Sequence, residues 1–487
     1  MLFNSLSFAV FLPVVFVLYW FVAKNKLVWQ NLLLLFSSYF FYACWDYRFL
    51  FLLIFSTLLD YLTGLKMHQT TNTKMRKFWF WLSVIINLGF LAVFKYYNFF
   101  ADTFVTAISK LGLHAELSTI QVILPVGISF YTFHGLSYVI DIYRKKIEPT
   151  RNFIHYTVFV SFFPLLVAGP IERATHLLPQ IKVLRTFNYH YAVDGLRQIL
   201  WGLFKKIVIA DNCAQFANII FNDSDSYHGT TLILGALCFT FQIYCDFSGY
   251  SDIALGTARL FGIELLRNFA FPYFSRDIAE FWRRWHISLS SWFRDYLYIP
   301  LGGSSGGMWM RIRNTFIIFI VSGFWHGANW TFIFWGFLNA CYFLPLLLAD
   351  KNRTNLEIVA MDKWLPSWKE FLQISITFSL TVFAWIFFRA QNMHHAFTFI
   401  QGIVEGLAHK SAYIETLNFL RWNIGKSIPI LVIIFMLVEW IGRSQQFAIQ
   451  NLGLQWPRTV RWGLYYIIII AIFIFGGSEQ QFIYFQF

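Results

Sequence analysis

The segment NTFIIFIVSGFWHGANWTFIFWGFLNACYFLPLLL, residues Asn314–Leu348, is mostly apolar and contains no Asp, Glu, Lys or Arg. A helix crosses the hydrocarbon core of a bilayer with about 20 mostly apolar residues. The segment therefore predicts two membrane crossings, or one crossing followed by a re-entrant piece. Its one histidine, His326, is a polar group in a setting where polar groups are costly, so it needs a reason to be there.

The composition of the whole chain agrees with a membrane location. Of its 487 residues, 57% are hydrophobic, 21% aromatic and 13% charged, whereas a soluble domain carries roughly 25% charged residues. So few charges cannot cover a surface that faces water, and much of the surface is expected to face lipid. The net charge of +13 lies in short basic loops such as Lys66–Lys77 and Arg144–Arg151. This pattern fits membrane topology far better than a phosphate-binding face for nucleic acid.

Apolar runs of membrane-spanning length recur along the chain, which is expected to form a single membrane domain over residues 1–487. The sequence predicts about 11–13 spans. Besides Asn314–Leu348, they are placed at Ser5–Ala23, Leu27–Trp45, Phe49–Leu65, Phe78–Tyr97, Val122–Tyr143, Ile154–Ile171, Thr230–Phe247, Leu372–Phe388, Ile428–Ile441 and Trp462–Phe475. The first run lacks the basic flank and cleavage site of a signal peptide, so it is expected to remain as a membrane helix.

Basic residues alternate between successive loops and predict the orientation. The loops after the first, third and fifth spans are rich in Lys and Arg, whereas those after the second and fourth carry only Arg48 and Lys110. Because basic loops stay in the cytoplasm, the N-terminus is expected outside.

Two segments differ from simple spans. Gly195–Phe221 places Lys205, Lys206 and Asp211 within an otherwise apolar helix. Ser275–Pro300, SRDIAEFWRRWHISLSSWFRDYLYIP, predicts one amphipathic helix with a broad aromatic face. Its neighbouring polar stripe has spacings of three and four and consists of Arg283, His286, Ser290 and Arg294. Such a helix suits a membrane interface or a half-inserted position, and a plain interfacial anchor remains an equal alternative.

His326 lies in the cluster of residues that most specifically suggests a catalytic site. On a continuous helix, Ser322, His326 and Asn329 would share one face. Gly323 and Gly327 would let another helix approach closely. Tryptophans supply rigid apolar walls at Trp325, Trp330 and Trp335. An imidazole in such surroundings stays neutral and can act as a general base. From the residue alone, a buried histidine that only hydrogen-bonds a neighbouring helix is equally plausible.

The other polar candidates are less specific. His286 gains interest from a pairing with His326, which spacing alone does not establish. Asp246 and Asp252, in YCDFSGYSDIALG, could line a hydrophilic tunnel, although each is more readily explained as a structural anchor. The five cysteines form no CxxC pair, so neither a disulfide framework nor a metal site is expected.

Several motifs resemble those of one known family. They are LPVGISFYTFHGLSYVIDIYR (Leu124–Arg144), AGPIERATHLLPQI (Ala168–Ile181), YCDFSGYSDIALG (Tyr244–Gly256), FWRRWHISLSSWFRDYLYIPLGG (Phe281–Gly303), GFWHGANWTFIFWG (Gly323–Gly336) and FIYFQF (Phe482–Phe487). With these motifs the chain resembles the membrane-bound O-acyltransferases, in the bacterial branch of alginate O-acetyltransferase-like and D-alanyl-lipoteichoic acid transferase-like proteins.

The resemblance implies an all-α polytopic protein with a ring of helices, re-entrant and interfacial pieces, and a central funnel or tunnel. It implies transfer of an acyl group from a cytoplasmic thioester donor to an acceptor on the outer side. His326 matches the catalytic histidine and His286 the second signature histidine. The donor is expected to be acetyl-CoA, used as a substrate without a tightly bound cofactor. A periplasmic acetyl-accepting partner protein, a polysaccharide acceptor, membrane lipid and a bacterial inner-membrane location are also expected.

Two alternatives to polysaccharide acetylation remain open at this point. The same fold could transfer D-alanine to teichoic acid or acetyl to peptidoglycan. A transporter or acyl-export conduit is the alternative of another class, because intramembrane His and Asp also serve proton relays. An inverted repeat would have favoured that class, but the span pattern has no clear one.

Overall fold

The computed structural model describes residues 1–113, 124–167, 169–421, 427–477 and 480–483. Within these ranges the regular elements are helices, and no strand occurs, which confirms the predicted all-α class. Parts of four predicted segments lie outside the described residues: the start of Val122–Tyr143, residue 168 within Ile154–Ile171, the start of the Ala168–Ile181 motif and most of the Phe482–Phe487 motif.

Contacts divide the chain into two compact units. The first comprises Met1–Gly195 and Ala254–Leu266, and the second comprises Leu196–Ile253 and Arg267–Phe487. The α-helices are α1 Leu6–Val17, α2 Leu27–Asp46, α3 Arg48–Gln69, α4 Thr73–Leu91, α5 Tyr97–Lys110, α6 Ile128–Tyr143, α7 Phe153–Ser161, α8 Phe163–Leu166, α9 Ala174–Ile181, α10 Tyr189–Leu203, α11 Asp211–Asn222, α12 Thr230–Leu260, α13 Ile278–Arg284, α14 Ile287–Phe293, α15 Gly307–His326, α16 Trp330–Leu348, α17 Trp368–Arg389, α18 Met393–Leu407, α19 Lys410–Phe419, α20 Ser427–Ile441 and α21 Arg458–Ile474. Short π-helical segments occupy Leu18–Val22, Ala92–Tyr96, Phe204–Ala210 and Arg294–Tyr298, and 3-10 turns occupy Ser224–Ser226 and Pro272–Phe274.

Six helices of the described chain are long and apolar enough to cross a membrane. They are Leu27–Asp46, Arg48–Gln69, Thr73–Lys110, Thr230–Leu260, Trp330–Leu348 and Trp368–Arg389. Each contains or overlaps a predicted span, and Leu6–Val22 and Ser427–Ile441 are shorter apolar helices. The predicted span Ile154–Ile171 instead forms the short helices α7 and α8. The chain is thus a multi-pass membrane protein.

The segment Asn314–Leu348, predicted to form two crossings or one crossing and a re-entrant piece, lies in an antiparallel hairpin of α15 and α16, of which α16 is a candidate span. A Cβ atom added at Gly323 would stand closer than 3.0 Å to the Phe332 carbonyl oxygen, and one at Gly336 would similarly meet the Phe319 carbonyl. These glycines therefore let the two backbones approach each other. The close approach expected at Gly323 is confirmed, and Gly336 supplies its counterpart on α16.

The turn of this hairpin interrupts the continuous helix that was expected across His326. Helix α15 ends at His326, and Gly327 and Asn329 are both extended, with Asn329 capping the N-terminus of α16. The expectation that Ser322, His326 and Asn329 share one face of a continuous helix is therefore wrong for Asn329. The apolar pattern continues across the turn, so periodicity alone does not reveal the break.

The segment Ser275–Pro300 also differs from the expected single helix. Helices α13 and α14 are separated by an extended Trp285 and by His286, which has φ 44° and ψ 54°. Backbone hydrogen bonds from Ala270 to the Arg284 carbonyl and from Ile287 to the Asn268 carbonyl, 3.0 and 2.9 Å long, hold the two sides of the break. The continuous stripe from Arg283 through His286 to Arg294 is thus interrupted at the histidine.

Candidate active site

A cavity of about 240 Å³ lies in the second unit. Most of its wall comes from α13, α14, α15 and α16, together with the residues that follow α14 and α16. The lining residues are Trp282, His286, Leu289, Ser290, Phe293, Arg294, Tyr298, Ser304, Thr315, Ile318, Phe319, Ser322, His326, Phe343, Leu347, Asn352 and Arg353. Both signature histidines therefore face one space, which spacing along the chain could not establish.

His326 is the last residue of α15, and its side chain is almost completely buried, with 4% of its surface exposed. Three aromatic rings surround the imidazole edge-on: Trp325, Trp335 and Phe388, at centroid distances of 5.0, 5.3 and 5.3 Å. Rigid rings on three sides leave the imidazole little rotational freedom, and they exclude water from it.

His286 approaches the same cavity from the break between α13 and α14 and is 1% exposed. The Phe247 ring contacts it at 4.7 Å, and the Trp325 ring lies 6.1 Å away. Because Trp325 also contacts His326, this indole ring lies against both imidazoles. The expected role of Trp325 as an apolar wall fits this position.

The cavity wall carries polar side chains besides the two histidines. Ser290 and Ser322 line it, as the sequence suggested, and Arg294 and Arg353 bring positive charge to it. Arg294 donates to Asp295 at 2.9 Å. The cavity thus combines an apolar wall, two imidazoles, small hydroxyl groups and two guanidinium groups.

Three further candidates stand outside the cavity lining. Asn329 accepts from the Thr331 N–H at 3.1 Å and donates to the Gln391 carbonyl at 2.8 Å, so its amide ties together two turns. Trp330 is 54% exposed. Arg283 donates to the backbone carbonyls of Asn352 and Asn355, and through Asn352 it supports a lining segment.

Asp246 and Asp252 take part in buried ion pairs. Asp246 pairs with Lys206 at 2.8 Å and accepts from the Ile483 N–H at 2.7 Å. Asp252 pairs with Lys205 at 2.6 Å, and Lys206 also pairs with Asp211 at 2.7 Å. Lys205 and Lys206, the two lysines within the otherwise apolar segment Gly195–Phe221, thus neutralise carboxylates of the same unit. Neither Asp246 nor Asp252 lines the cavity.

Sequence reasoning missed several lining residues. Trp282 belongs to the aromatic face predicted for a continuous helix over Ser275–Pro300, and Arg294 belongs to its polar stripe. Arg353 follows α16 in a stretch without a motif. Its place beside the histidines depends on how the α15–α16 hairpin returns, and no local pattern contains that information. No group of three potential metal ligands occurs within the described ranges.

Comparison with known proteins identifies the family. The family model described as "MBOAT, membrane-bound O-acyltransferase family" matches residues 144–387. This range includes both histidines and the residues that line the cavity. A probable alginate O-acetylase AlgI of Pseudomonas putida is 36% identical over 100% of both chains. A peptidoglycan O-acetyltransferase of Helicobacter pylori is 35% identical over 100% of this chain and 98% of its own.

The chain is more distantly similar to enzymes named for the transfer of another acyl group, D-alanyl. A teichoic acid D-alanyltransferase of Bacillus subtilis is 28% identical over 55% of this chain and 70% of its own. These relationships favour an enzyme over a transport conduit without chemistry. The chain belongs to the membrane-bound O-acyltransferase family and is a multi-pass membrane acyltransferase.

Proposed function

We propose that the protein transfers an acetyl group from acetyl-CoA on the cytoplasmic side to hydroxyl groups of a secreted or cell-envelope polysaccharide. The observation that carries the proposal is the convergence of His286 and His326, from separate elements, on one narrow and largely apolar cavity. Relatives named as acetylases or acetyltransferases of alginate and peptidoglycan match the whole chain, whereas the D-alanyltransferase matches 55% of it. Acetyl is therefore favoured over D-alanine.

His326 acts as the general base in this mechanism. Its imidazole takes the proton from the acceptor hydroxyl while that oxygen attacks the thioester carbonyl, so that an O–C bond forms and the C–S bond breaks. The proton then passes to the departing thiolate and leaves free thiol and the acetyl ester. A positioned base of this kind contributes about 10²–10⁴ in rate.

His286 is the candidate donor to the oxyanion that develops on the carbonyl oxygen. The amide of Asn329, in the same motif as His326, is engaged with Thr331 and Gln391 instead. The aromatic wall around His326 keeps bulk water from the thioester, and hydrolysis is thereby suppressed.

The two arginines support a donor that carries phosphate groups. Arg294 and Arg353 line the same cavity as the histidines, and guanidinium groups bind phosphate oxygens through charge-assisted hydrogen bonds. The phosphates of coenzyme A would bind there while the acetyl thioester reaches His326.

The proposal extends to the setting of the reaction. The protein would reside in the bacterial inner membrane, and a periplasmic partner protein would accept the acetyl group for delivery to the polysaccharide. An alternative acceptor is peptidoglycan, which the Helicobacter pylori relative favours by its name.

The test uses cells that lack the protein and are complemented with variants. Alkali-released acetate is measured separately in the exopolysaccharide and the cell wall, so the polymer that loses acetyl also identifies the acceptor. His326→Ala is expected to reduce acetylation at least about 100-fold. The matched control is His394→Ala, which removes an exposed histidine outside the cavity lining and should restore acetylation fully.

Immunoblots of membranes must show equal amounts of both variants. Acetylation restored by His326→Ala would refute the role of His326 as the general base. Release of coenzyme A thiol from labelled acetyl-CoA by the purified protein tests the donor, and its absence with every acceptor tried would exclude acetyl-CoA.

A further inference from the structure

A second concave site, an aromatic groove of about 500 Å³, lies in the first unit and is separate from the histidine cavity. It runs along the end of the first apolar helix, Leu6–Val22, and the segment that follows α9. Its lining residues are Phe16, Trp20, Phe21, Lys24, Asn25, Leu184, Arg185, Thr186 and Phe187. This volume lies within the range of sites that hold small organic ligands.

The walls of the groove are rigid and apolar. The Phe187 ring contacts Trp20 at 5.4 Å and Phe16 at 6.0 Å, and the Trp20 indole N–H donates to the Leu260 carbonyl at 2.9 Å. Phe21 and Phe187 nevertheless remain 76% and 50% exposed. Exposed phenyl rings at the end of an apolar helix are placed to contact lipid acyl chains, and the Trp20 indole is of the type enriched at the lipid–water interface.

Arg185 places a buried positive charge in this groove. Only 5% of the residue is exposed, although it lines the groove. Its guanidinium donates to the Asn31 side chain at 2.6 Å and to the Gln180 carbonyl at 3.3 Å. It also lies over the Tyr19 ring at 5.7 Å.

The partners of Arg185 are all neutral. Within the described ranges no carboxylate forms an ion pair with it, and its Nε–H has no acceptor. A buried cation without a counter-ion costs several kcal/mol. This cost is relieved if an anion occupies the groove beside it.

We propose that this groove binds an anionic phospholipid, with the phosphate at Lys24 and Arg185 and an acyl chain against Phe16, Trp20 and Phe187. The aromatic walls distinguish this occupant from a free phosphate ion, which would gain nothing from them. Lys24 belongs to a loop that the charge pattern assigns to the cytoplasm. Basic pockets on that side bind acidic lipid headgroups.

The test is native mass spectrometry of the purified full chain in neutral detergent, titrated with phosphatidylglycerol or with phosphatidylcholine of the same acyl chains. One phosphatidylglycerol should be retained at concentrations where phosphatidylcholine is not. Lys24→Gln should weaken retention about fivefold, as expected for one lysine near a lipid phosphate. The matched control is Lys26→Gln, which removes the same charge outside the groove lining and should leave retention unchanged.

A second variant tests the acyl-chain wall. Phe21→Ser changes a groove-lining residue that is 76% exposed and should weaken phosphatidylglycerol retention while leaving the unfolding temperature nearly unchanged. Equal retention of the two lipids, or equal loss in the two lysine variants, would overturn the proposal. Displacement of the lipid by millimolar inorganic phosphate would also overturn it, because the site would then be a free-anion site.

Discussion

His286 adopts a left-handed backbone conformation, which costs an L-residue about 1–2 kcal/mol. Its φ of 44° places the imidazole at the break between α13 and α14 instead of on a helix face. Strained conformations of this kind persist where surrounding structure enforces them, and they are frequent at active sites. Here the hydrogen bonds of Asn268 and Ala270 on either side enforce it.

Substitutions at His286 should distinguish the effect of its backbone conformation on stability from the effect of its imidazole on acetyl transfer. Asn tolerates the left-handed region about as well as His, whereas a β-branched residue does not. We expect His286→Asn to keep a thermal unfolding midpoint near that of the wild type and to lose acetyl transfer. His286→Val should lose transfer and also be about 1–2 kcal/mol less stable than His286→Asn. Full transfer by His286→Asn would remove the imidazole from the mechanism.

Arg353 provides a prediction about the donor. Loss of a charge-assisted hydrogen bond to phosphate costs about 1.5 kcal/mol, or roughly tenfold in affinity. Arg353→Gln should therefore raise the KM for acetyl-CoA roughly tenfold with little change in kcat. The KM for S-acetyl-N-acetylcysteamine, which lacks phosphates, should not change. If both donors respond equally, Arg353 supports the cavity without binding phosphate.

The candidate residues were predictable from sequence to different degrees. His326 stood out because a polar group in an apolar run is costly, and its motif made it specific. The lining position of Arg353 and the capping position of Asn329 depend on the turn of the hairpin. Gly327 and Asn329 are residues that end and begin helices, but the long apolar run on both sides of them favoured a continuous helix.

At the scale of the element, the α15–α16 hairpin positions His326. Gly323 brings the two backbones together one turn before the histidine, because a Cβ atom there would collide with the Phe332 carbonyl. Backbone atoms cannot move aside as a flexible side chain can. The position of His326 against Trp335 of the partner helix therefore depends on this glycine.

Gly323→Ala should destabilise the protein by about 1–3 kcal/mol, which is typical of overpacking, and should reduce transfer. The control is Gly463→Ala in α21, where an added Cβ meets nothing within 4 Å. Alanine is the better helix former, so this control should be neutral or slightly stabilising. Thermal unfolding followed by tryptophan fluorescence compares them, and equal stability of the two variants would contradict the close packing of α15 and α16.

Hydrophobic periodicity predicted helices well only where the backbone stays helical without a break. The predicted spans Leu27–Trp45 and Leu372–Phe388 differ by a few residues from α2 and α17. The predicted helix across His286 failed because a single left-handed residue breaks the backbone while the aromatic pattern continues on both sides. The capping box at Ser367 and Glu370 shows the kind of local signal that does mark a helix start.

At the scale of the whole molecule, the topology rests on the charge pattern. Lys66, Lys74 and Arg76 follow the third predicted span and belong to the loops that the positive-inside rule retains in the cytoplasm. We expect a phosphatase that is active only outside the cytoplasm to be active when fused to the N-terminus. The same enzyme inserted within Arg144–Arg151 should be inactive. The reverse pattern would invert the assignment of donor and acceptor sides.

The ion pairs of Lys205 and Lys206 have a consequence for biogenesis. Each lysine placed at the bilayer centre costs about 2.5–3.5 kcal/mol, and the carboxylates of Asp246 and Asp252 that neutralise them belong to α12. During synthesis the two lysines leave the ribosome before those acids exist. Asp211 can balance Lys206 almost at once, whereas Lys205 gains the carboxylate of Asp252 only after α12 has been made. We therefore expect the segment of Lys205 to be held by the insertion machinery until α12 has been made, so that the two enter the membrane together.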